Sequence, residues 1–141
     1  SKKFFKIIIN RYPNTDFAID SKYKLELINT ILASKEMYIA RYYLSKEKWI
    51  PAINRFKTVL QHYDTTEYAP EALHRLVEVH YKIGLEEEAK KYAKVLGYNY
   101  QSSEWYKESY KIFNKDYTIK KKEVKKKSKK GLIWRKFKSL F

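Results

Sequence analysis

Hydrophobic residues recur along most of the chain with the three-to-four-residue period of an α-helix. The longest such segment, Asp16–Leu44, contains neither Gly nor Pro and predicts one unusually long helix. Asn14 or Thr15 is placed to cap its first turn, and a break near Asn29–Thr30 would contradict this prediction. The apolar stripe of this helix consists of Leu25, Ile28, Leu32, Ile39 and Tyr43.

The same period predicts four shorter helices downstream. Pro51 and Pro70 stand in the first turns of two of them, where a missing N–H is harmless. Gly84 and Gly97 are placed to end two of them. The expected helices run over about 49–62, 70–83, 86–96 and 103–115. The side chains expected to face the interior are Ala52, Phe56, Val59, Leu60 and Tyr63, then Leu73, Leu76, Val77, His80 and Tyr81, then Ala89, Tyr92, Ala93 and Leu96.

Three similar polar segments separate the helical ones. Each contains a Tyr that is followed three residues later by Thr or Ser. The segments are 11–15, 62–66 and 99–103, and their tyrosines are 51 and 37 residues apart. Repeat periods in this range are typical of stacked helical hairpins.

Composition supports an all-helical fold and restricts the chemistry. Gly and Pro occur only three times each, too few for a fold rich in tight turns. The absence of Cys excludes disulfides, thiolate metal sites and a Cys nucleophile, and it means that this chain carries no Cys for lipid attachment. No segment approaches the ~20 apolar residues of a membrane-spanning helix.

Small and large residues alternate in two of the predicted hairpins as they do in tetratricopeptide (TPR) repeats. Ala40, Tyr43, Ala52 and Phe56 occupy the small, aromatic, close-contact and large positions of the first hairpin. Val77, His80, Gly84 and Ala89 take the small, aromatic, turn and close-contact positions of the second. The small residues let paired helices approach each other. We therefore predict an all-α, TPR-type superhelix of antiparallel helical hairpins over residues 1–117, followed by a basic C-terminal tail.

Several less common motifs make the resemblance more specific. They are Arg11-Tyr12-Pro13-Asn14-Thr15, Leu32-Ala33 with Glu36, Ala40-Arg41-Tyr42-Tyr43, Trp49, Asn54-Arg55 and Glu71-Ala72-Leu73. Together they resemble the C-terminal repeats of the BamD family, the TPR lipoproteins of the bacterial outer-membrane β-barrel assembly machinery. The resemblance extends from about Phe4 to Tyr110. The family's N-terminal repeats and its lipid-bearing Cys have no counterpart in this sequence.

The resemblance implies a non-catalytic scaffold on the periplasmic face of the outer membrane. In this family the C-terminal repeats dock on a periplasmic POTRA domain of the barrel-forming subunit and on small accessory lipoproteins. Lys82 matches a basic residue that forms a salt bridge with that POTRA domain. The main alternative is a TPR adaptor of another cell-envelope or cytosolic complex, held on a membrane surface by its basic tail.

Four further residues are candidate partner contacts. Arg55 is expected to pair with an acidic residue, either of the neighbouring helix or of a partner. Tyr42, Tyr68 and Tyr98 lie off the predicted core stripes, so each is either a peripheral core residue or part of a concave binding surface, where Tyr is favoured.

The C-terminal residues differ sharply from the rest of the chain. Residues 115–141 contribute 10 of the 15 net positive charges. We divide them into a Lys-rich linker, 118–130, and a short basic amphipathic helix, 131–141. The tail residues expected to contact a membrane or a partner are Trp134, Arg135, Lys136, Phe137, Lys138, Leu140 and Phe141.

Three partners are conceivable for this tail: an anionic membrane surface, a partner protein, or nucleic acid. A solubilising tail without a partner is the fourth interpretation. Nucleic acid is disfavoured because the lysines precede the aromatic residues instead of interleaving with them.

The sequence gives no support for an enzyme, a metal site or a cofactor. His74 and His80 are six residues apart, which does not suit a metal-binding pair on one helix face. Glu86–Glu88 lie at a helix start, where the helix dipole alone favours acidic residues. The three glycines are dispersed and form no phosphate-binding loop.

Overall fold

The computed structural model describes residues 1–114, and every regular element within this range is an α-helix. The predicted all-α fold is therefore confirmed. The helices are α1 (Lys2–Arg11), α2 (Asp16–Ser45), α3 (Trp49–His62), α4 (Ala69–Lys82), α5 (Glu86–Asn99) and α6 (Glu104–Phe113). Helices α2 and α3 form one antiparallel hairpin, and α4 and α5 form the next. The boundaries predicted for the linker and tail lie outside the described residues.

Helix α2 is continuous over 30 residues, without a break near Asn29–Thr30. Thr15 caps its start, because its Oγ1 accepts a hydrogen bond from the Ala18 N–H at 3.2 Å. The most buried positions differ from the predicted stripe, whose members are only partly buried. They are Ala18, Ser21, Ala33, Met37 and Ala40. Four of these five side chains are small, which lets neighbouring helices approach the α2 backbone and leaves the larger residues at the edges of the contact.

Helix α1 packs on α2 and was not predicted as a separate element. None of its residues is buried, and Phe4 and Ile7 are more than half exposed. Its Lys2 also contacts an aromatic ring, with the ammonium 5.2 Å from the centre of the Tyr63 ring. Its partly buried residues Phe5, Ile8 and Ile9 nevertheless lie at helical spacing, so the sequence does carry a periodic signal for this helix.

The three Tyr-containing segments adopt the same turn. In each, the Tyr N–H closes the last turn of the preceding helix. The Tyr carbonyl then accepts a hydrogen bond from the N–H of the Thr or Ser three residues later. The residues are Tyr12 with Thr15, Tyr63 with Thr66, and Tyr100 with Ser103, at N···O distances of 3.3, 3.1 and 2.9 Å. The sequence repeat thus corresponds to a repeated turn that reverses the chain between helices.

Helix α4 is the centre of the fold and packs against α3, α5 and α6. Nine of its 14 residues are buried. The main core joins it to the first hairpin through Met37, Ala40, Ala52, Ile53, Phe56, Val59, Ala72, Leu76 and Val79.

Helix α5 does not end at Gly97, as predicted, but continues to Asn99. Gly97 instead lets α6 approach closely, because a Cβ there would lie 2.9 Å from Cε2 of Tyr106. The lack of a side chain therefore serves helix packing, not helix termination.

Candidate protein-binding surfaces

The first candidate surface lies at the end of the molecule where the two hairpins turn, and Lys82 is at its centre. Lys82 occupies the last turn of α4, where a positive charge suits the helix dipole. Its ammonium lies 5.4 Å from the centre of the Trp49 ring, at the start of α3. This cation–π contact fixes the direction of an exposed side chain and contributes roughly 0.5–1 kcal/mol. Within residues 1–114, no carboxylate lies within salt-bridge distance of Lys82.

Tyr42 lies near the same end, in the last turn of α2. Its side chain is 55% exposed, and its ring meets the Tyr43 ring edge-on at 5.9 Å. The Lys46 ammonium is 5.9 Å from the Tyr42 ring centre. Tyr42 and Lys82 are therefore two exposed residues beside the α2–α3 turn, which we call the turn-end surface together with Lys46 and Trp49.

Arg55 forms an ion pair with an acidic residue of the neighbouring helix, which is one of the two alternatives predicted for it. Its Nη1 lies 3.0 Å from Oε2 of Glu36 in α2. The ion pair joins the two helices of the first hairpin and is partly exposed on the Arg55 side. A role for Arg55 in partner binding stays a prediction.

A second ion pair, between Arg41 and Glu71, was not predicted, although both residues belong to the motifs that carry the resemblance. The Arg41 guanidinium donates two hydrogen bonds to the carboxylate, at 3.0 and 2.6 Å. The bonds to Glu71 raise the pKa of Arg41. Because α2 contributes Arg41 and α4 contributes the buried Glu71, this pair links the two hairpins.

His74 joins α4 to α6. Its Nδ1 lies 2.8 Å from Oγ of Ser109, a residue that is 1% exposed. Its ring packs on Trp105 with the ring centres 5.3 Å apart. Burial lowers the pKa of His74, so the neutral imidazole is favoured. This environment accounts for His74 as a packing residue of the last helix.

The other two predicted tyrosines lie at different sites. Tyr68, at the start of α4, is partly buried and packs against the main core. Tyr98 is 92% exposed near the end of α5. Tyr98 is therefore a candidate surface residue, whereas the structure places Tyr68 beside the core.

Tyr98 borders a groove between α5 and α6 that was not predicted. The groove has a volume of about 390 Å³. Helix α6 provides aromatic side chains, and α5 provides Tyr98, small residues and two lysines. The residues that define it are Ala93, Gly97, Tyr98, Tyr106, Tyr110 and Phe113. We call this feature the α5–α6 groove.

Within residues 1–114, no cluster of three or more His, Cys, Asp or Glu side chains could hold a metal ion. His80 instead makes a structural contact, with its Nδ1 2.7 Å from the Leu76 carbonyl oxygen. No helix in the same range is both long and apolar enough to cross a membrane. The seven predicted tail contacts between Trp134 and Phe141 lie outside the described residues.

Comparison with known proteins agrees with the sequence motifs. The family model of YfiO, an outer membrane lipoprotein, matches residues 1–96. The chain is 51% identical over 112 residues to the outer membrane protein assembly factor BamD of Rickettsia prowazekii, covering 79% of this chain and 45% of that protein. It is 47% identical over 107 residues to BamD of Caulobacter vibrioides, covering 76% of this chain and 35% of that protein. The chain thus spans less than half the length of these relatives, and it belongs to the BamD (YfiO) family of outer membrane lipoproteins.

Proposed function

We propose that the chain is a non-catalytic, protein-binding scaffold in the assembly of outer membrane β-barrel proteins. Its relatives are named as outer membrane protein assembly factors. The observation that carries the proposal is the oriented Lys82 side chain on the turn-end surface. We infer that it works at the periplasmic face of the outer membrane.

The proposed partner surface is acidic and belongs to a POTRA domain of the barrel-forming subunit. Lys82 would provide the charge, because it is exposed and its ammonium lies over the Trp49 ring. Tyr42 would provide apolar contact area with few rotatable bonds, as Tyr does in many interfaces. Accessory lipoproteins are the other proposed partners. Tyr98 and Arg55 are proposed contacts away from Lys82.

The ion pairs between helices support a role as a rigid platform. Arg55–Glu36 fixes α3 on α2, and Arg41–Glu71 fixes α4 on α2. Partner residues would therefore meet a surface whose helices keep their relative positions, which lowers the entropic cost of binding.

Charge reversal at Lys82 tests the proposal. Lys82→Glu should weaken binding to the purified POTRA-bearing subunit by at least about 2 kcal/mol, roughly thirtyfold in Kd, if the charge pair is buried. The matched control is Lys22→Glu, which reverses an exposed Lys on α2. Both variants should keep the same helical content by circular dichroism. Equal affinities of the Lys82→Glu variant and the unmodified chain would show that Lys82 is not part of the interface.

A pull-down from envelope extract tests the wider assignment. Recovery of a POTRA-bearing barrel protein by mass spectrometry would support it. Recovery of an unrelated envelope complex would instead favour the alternative of a TPR adaptor in another system. Recovery of ribosomal material alone would contradict both.

A further inference from the structure

The α5–α6 groove is the side of the solenoid where a regular repeat would place another helix. Helix α2 packs on α3, and α4 packs on α5, whereas α6 has no following hairpin partner within residues 1–114. Tyr98 and Tyr110 consequently remain 92% and 58% exposed. An uncovered apolar surface at the end of a solenoid normally requires a capping element.

At the place where the repeat register expects the next partner helix, the sequence has no apolar stripe. Helix α3 begins at Trp49 and α5 at Glu86, 37 residues later, so the next partner helix would begin near Glu123. The segment 120–130 contains eight lysines and one large apolar residue, Val124. A helix of that composition has like charges at neighbouring positions and no apolar stripe to bury.

We propose that the segment 131–141 of the same chain lies in the α5–α6 groove and caps the solenoid. Five of its six large apolar residues share one face at helical spacing, and its basic residues fall outside that face. The apolar face consists of Ile133, Trp134, Phe137, Leu140 and Phe141. The chemistry of this face matches the aromatic and small side chains that line the groove.

Chain length permits this arrangement. The 16 residues from 115 to 130 connect the end of α6 to the segment, and they can extend over roughly 50 Å. The 14-residue helix α5, along which the groove lies, is only about 21 Å long. A tether of this kind gives the segment a local concentration in the millimolar range, which compensates for a small contact area.

The charges predict how salt affects the contact. Lys90 and Lys94 lie at the groove, and Arg135, Lys136 and Lys138 belong to the segment, so both sides are positively charged. Added salt screens this repulsion and leaves the apolar contact intact. Attachment of the same segment to an anionic membrane has the opposite dependence and weakens with salt. The salt response therefore distinguishes docking of the segment in the α5–α6 groove from its attachment to a membrane.

Crosslinking in the full chain tests the proposal, because the natural sequence has no Cys. Lys94→Cys is combined with Lys138→Cys and treated with a short bismaleimide. The intramolecular crosslink should form at least about tenfold faster than in the control pair Lys22→Cys with Lys138→Cys, owing to the difference in local concentration. Its rate should hold or rise in 1 M salt. Equal rates for the two pairs would overturn the proposal.

A second variant keeps the test independent of the crosslinking geometry. Tyr98→Ser with Tyr110→Ser removes two exposed rings of the groove, so the fold should persist. Tyr23→Ser with Tyr38→Ser is the matched control on α2, where the rings are 69% and 73% exposed. The groove variant should lose the crosslink and bind anionic phosphatidylserine vesicles several-fold more tightly, since its tail is released. Unchanged crosslinking and vesicle binding in the groove variant would refute the docking and leave the membrane as the partner of the tail.

Discussion

The two complete hairpins have the same architecture but fill corresponding positions differently. At the large position of the second helix, the first hairpin has Phe56, which is fully buried, and the second has Ala93, which is only partly buried beside the groove. At the interior of the first helix, Met37 corresponds to His74. The first hairpin therefore packs through apolar side chains, in a core that it shares with α4. The second depends on α6 and on polar contacts to complete its packing.

The turns of the two hairpins differ as well. Both have the same pair of backbone hydrogen bonds that closes a helix with a left-handed residue. In the second hairpin that residue is Gly84, with φ of 88°. In the first it is Glu47, with φ of 56°, the only residue other than Gly with positive φ among the described residues. The first hairpin therefore contains the more strained turn, because a residue with a Cβ adopts the left-handed conformation there.

Of the substitutions that test this difference between the hairpins, removal of the Phe56 ring should have the largest effect on stability. Phe56→Ala leaves a cavity in the main core and should lower the free energy of unfolding by about 3–5 kcal/mol. Urea denaturation followed by circular dichroism at 222 nm measures the change. Phe17→Ala is the control, because Phe17 is 78% exposed and its removal should cost less than about 0.5 kcal/mol. Similar losses in the two variants would show that the first hairpin does not depend on its aromatic core residue.

Substitution of the two left-handed turn residues should change the free energy of unfolding less than Phe56→Ala does. The change should have opposite signs in the two hairpins. Glu47→Gly relieves the left-handed strain and should stabilise the chain by about 0.5–1 kcal/mol, after the added flexibility of the unfolded chain is subtracted. Gly84→Ala should destabilise it by about 1 kcal/mol. No atom lies within 4 Å of the added Cβ, so this cost comes from the backbone alone. Urea midpoints that move in the same direction would rule out turn strain as the cause.

The sequence predicted the helices of the two hairpins well, because burial of their apolar faces imposes a clear period. The range Trp49–His62 agrees with α3, and the long α2 is unbroken. The TPR-type positions Ala40, Ala52 and Phe56 are all fully buried. These features depend on the local spacing of apolar residues and on the repeat, and both can be read from the amino-acid sequence alone.

Contacts between distant residues were not predictable in the same way. Arg41 and Glu71 are 30 residues apart, and no periodicity indicates that their side chains meet. Gly97 was interpreted as a helix end, whereas its role depends on the position of Tyr106 in α6. The α5–α6 groove has the same origin, since it exists only when two helices are placed side by side. Whether Tyr68 and Tyr98 lie at the surface or beside the core could be decided only from the packing around each ring.

Acidification should produce the smallest of these effects and should act through His74 in the second hairpin. Burial lowers the pKa of His74 from its usual 6.5, against opposing contributions from Glu71, Glu78 and Glu108 and with a lesser contribution from Arg75. Well above pH 6.5 the imidazole is neutral in both the folded and the unfolded chain. Below that pH the unfolded chain binds a proton more readily, so stability decreases until the folded-state pKa is passed.

The matched test replaces His74 by the residue of the first hairpin. His74→Met removes the titrating group and leaves Ser109 without its imidazole partner, so this variant should be less stable at pH 7.5. Its stability should nevertheless change less between pH 7.5 and pH 5.5 than that of the unmodified chain, as measured by urea denaturation. His62→Gln, at an exposed site, should keep the full pH dependence. Hydrogen exchange at low pH should first increase in α6, because His74 joins α4 to that helix. Equal pH dependence with and without His74 would show that other groups carry it.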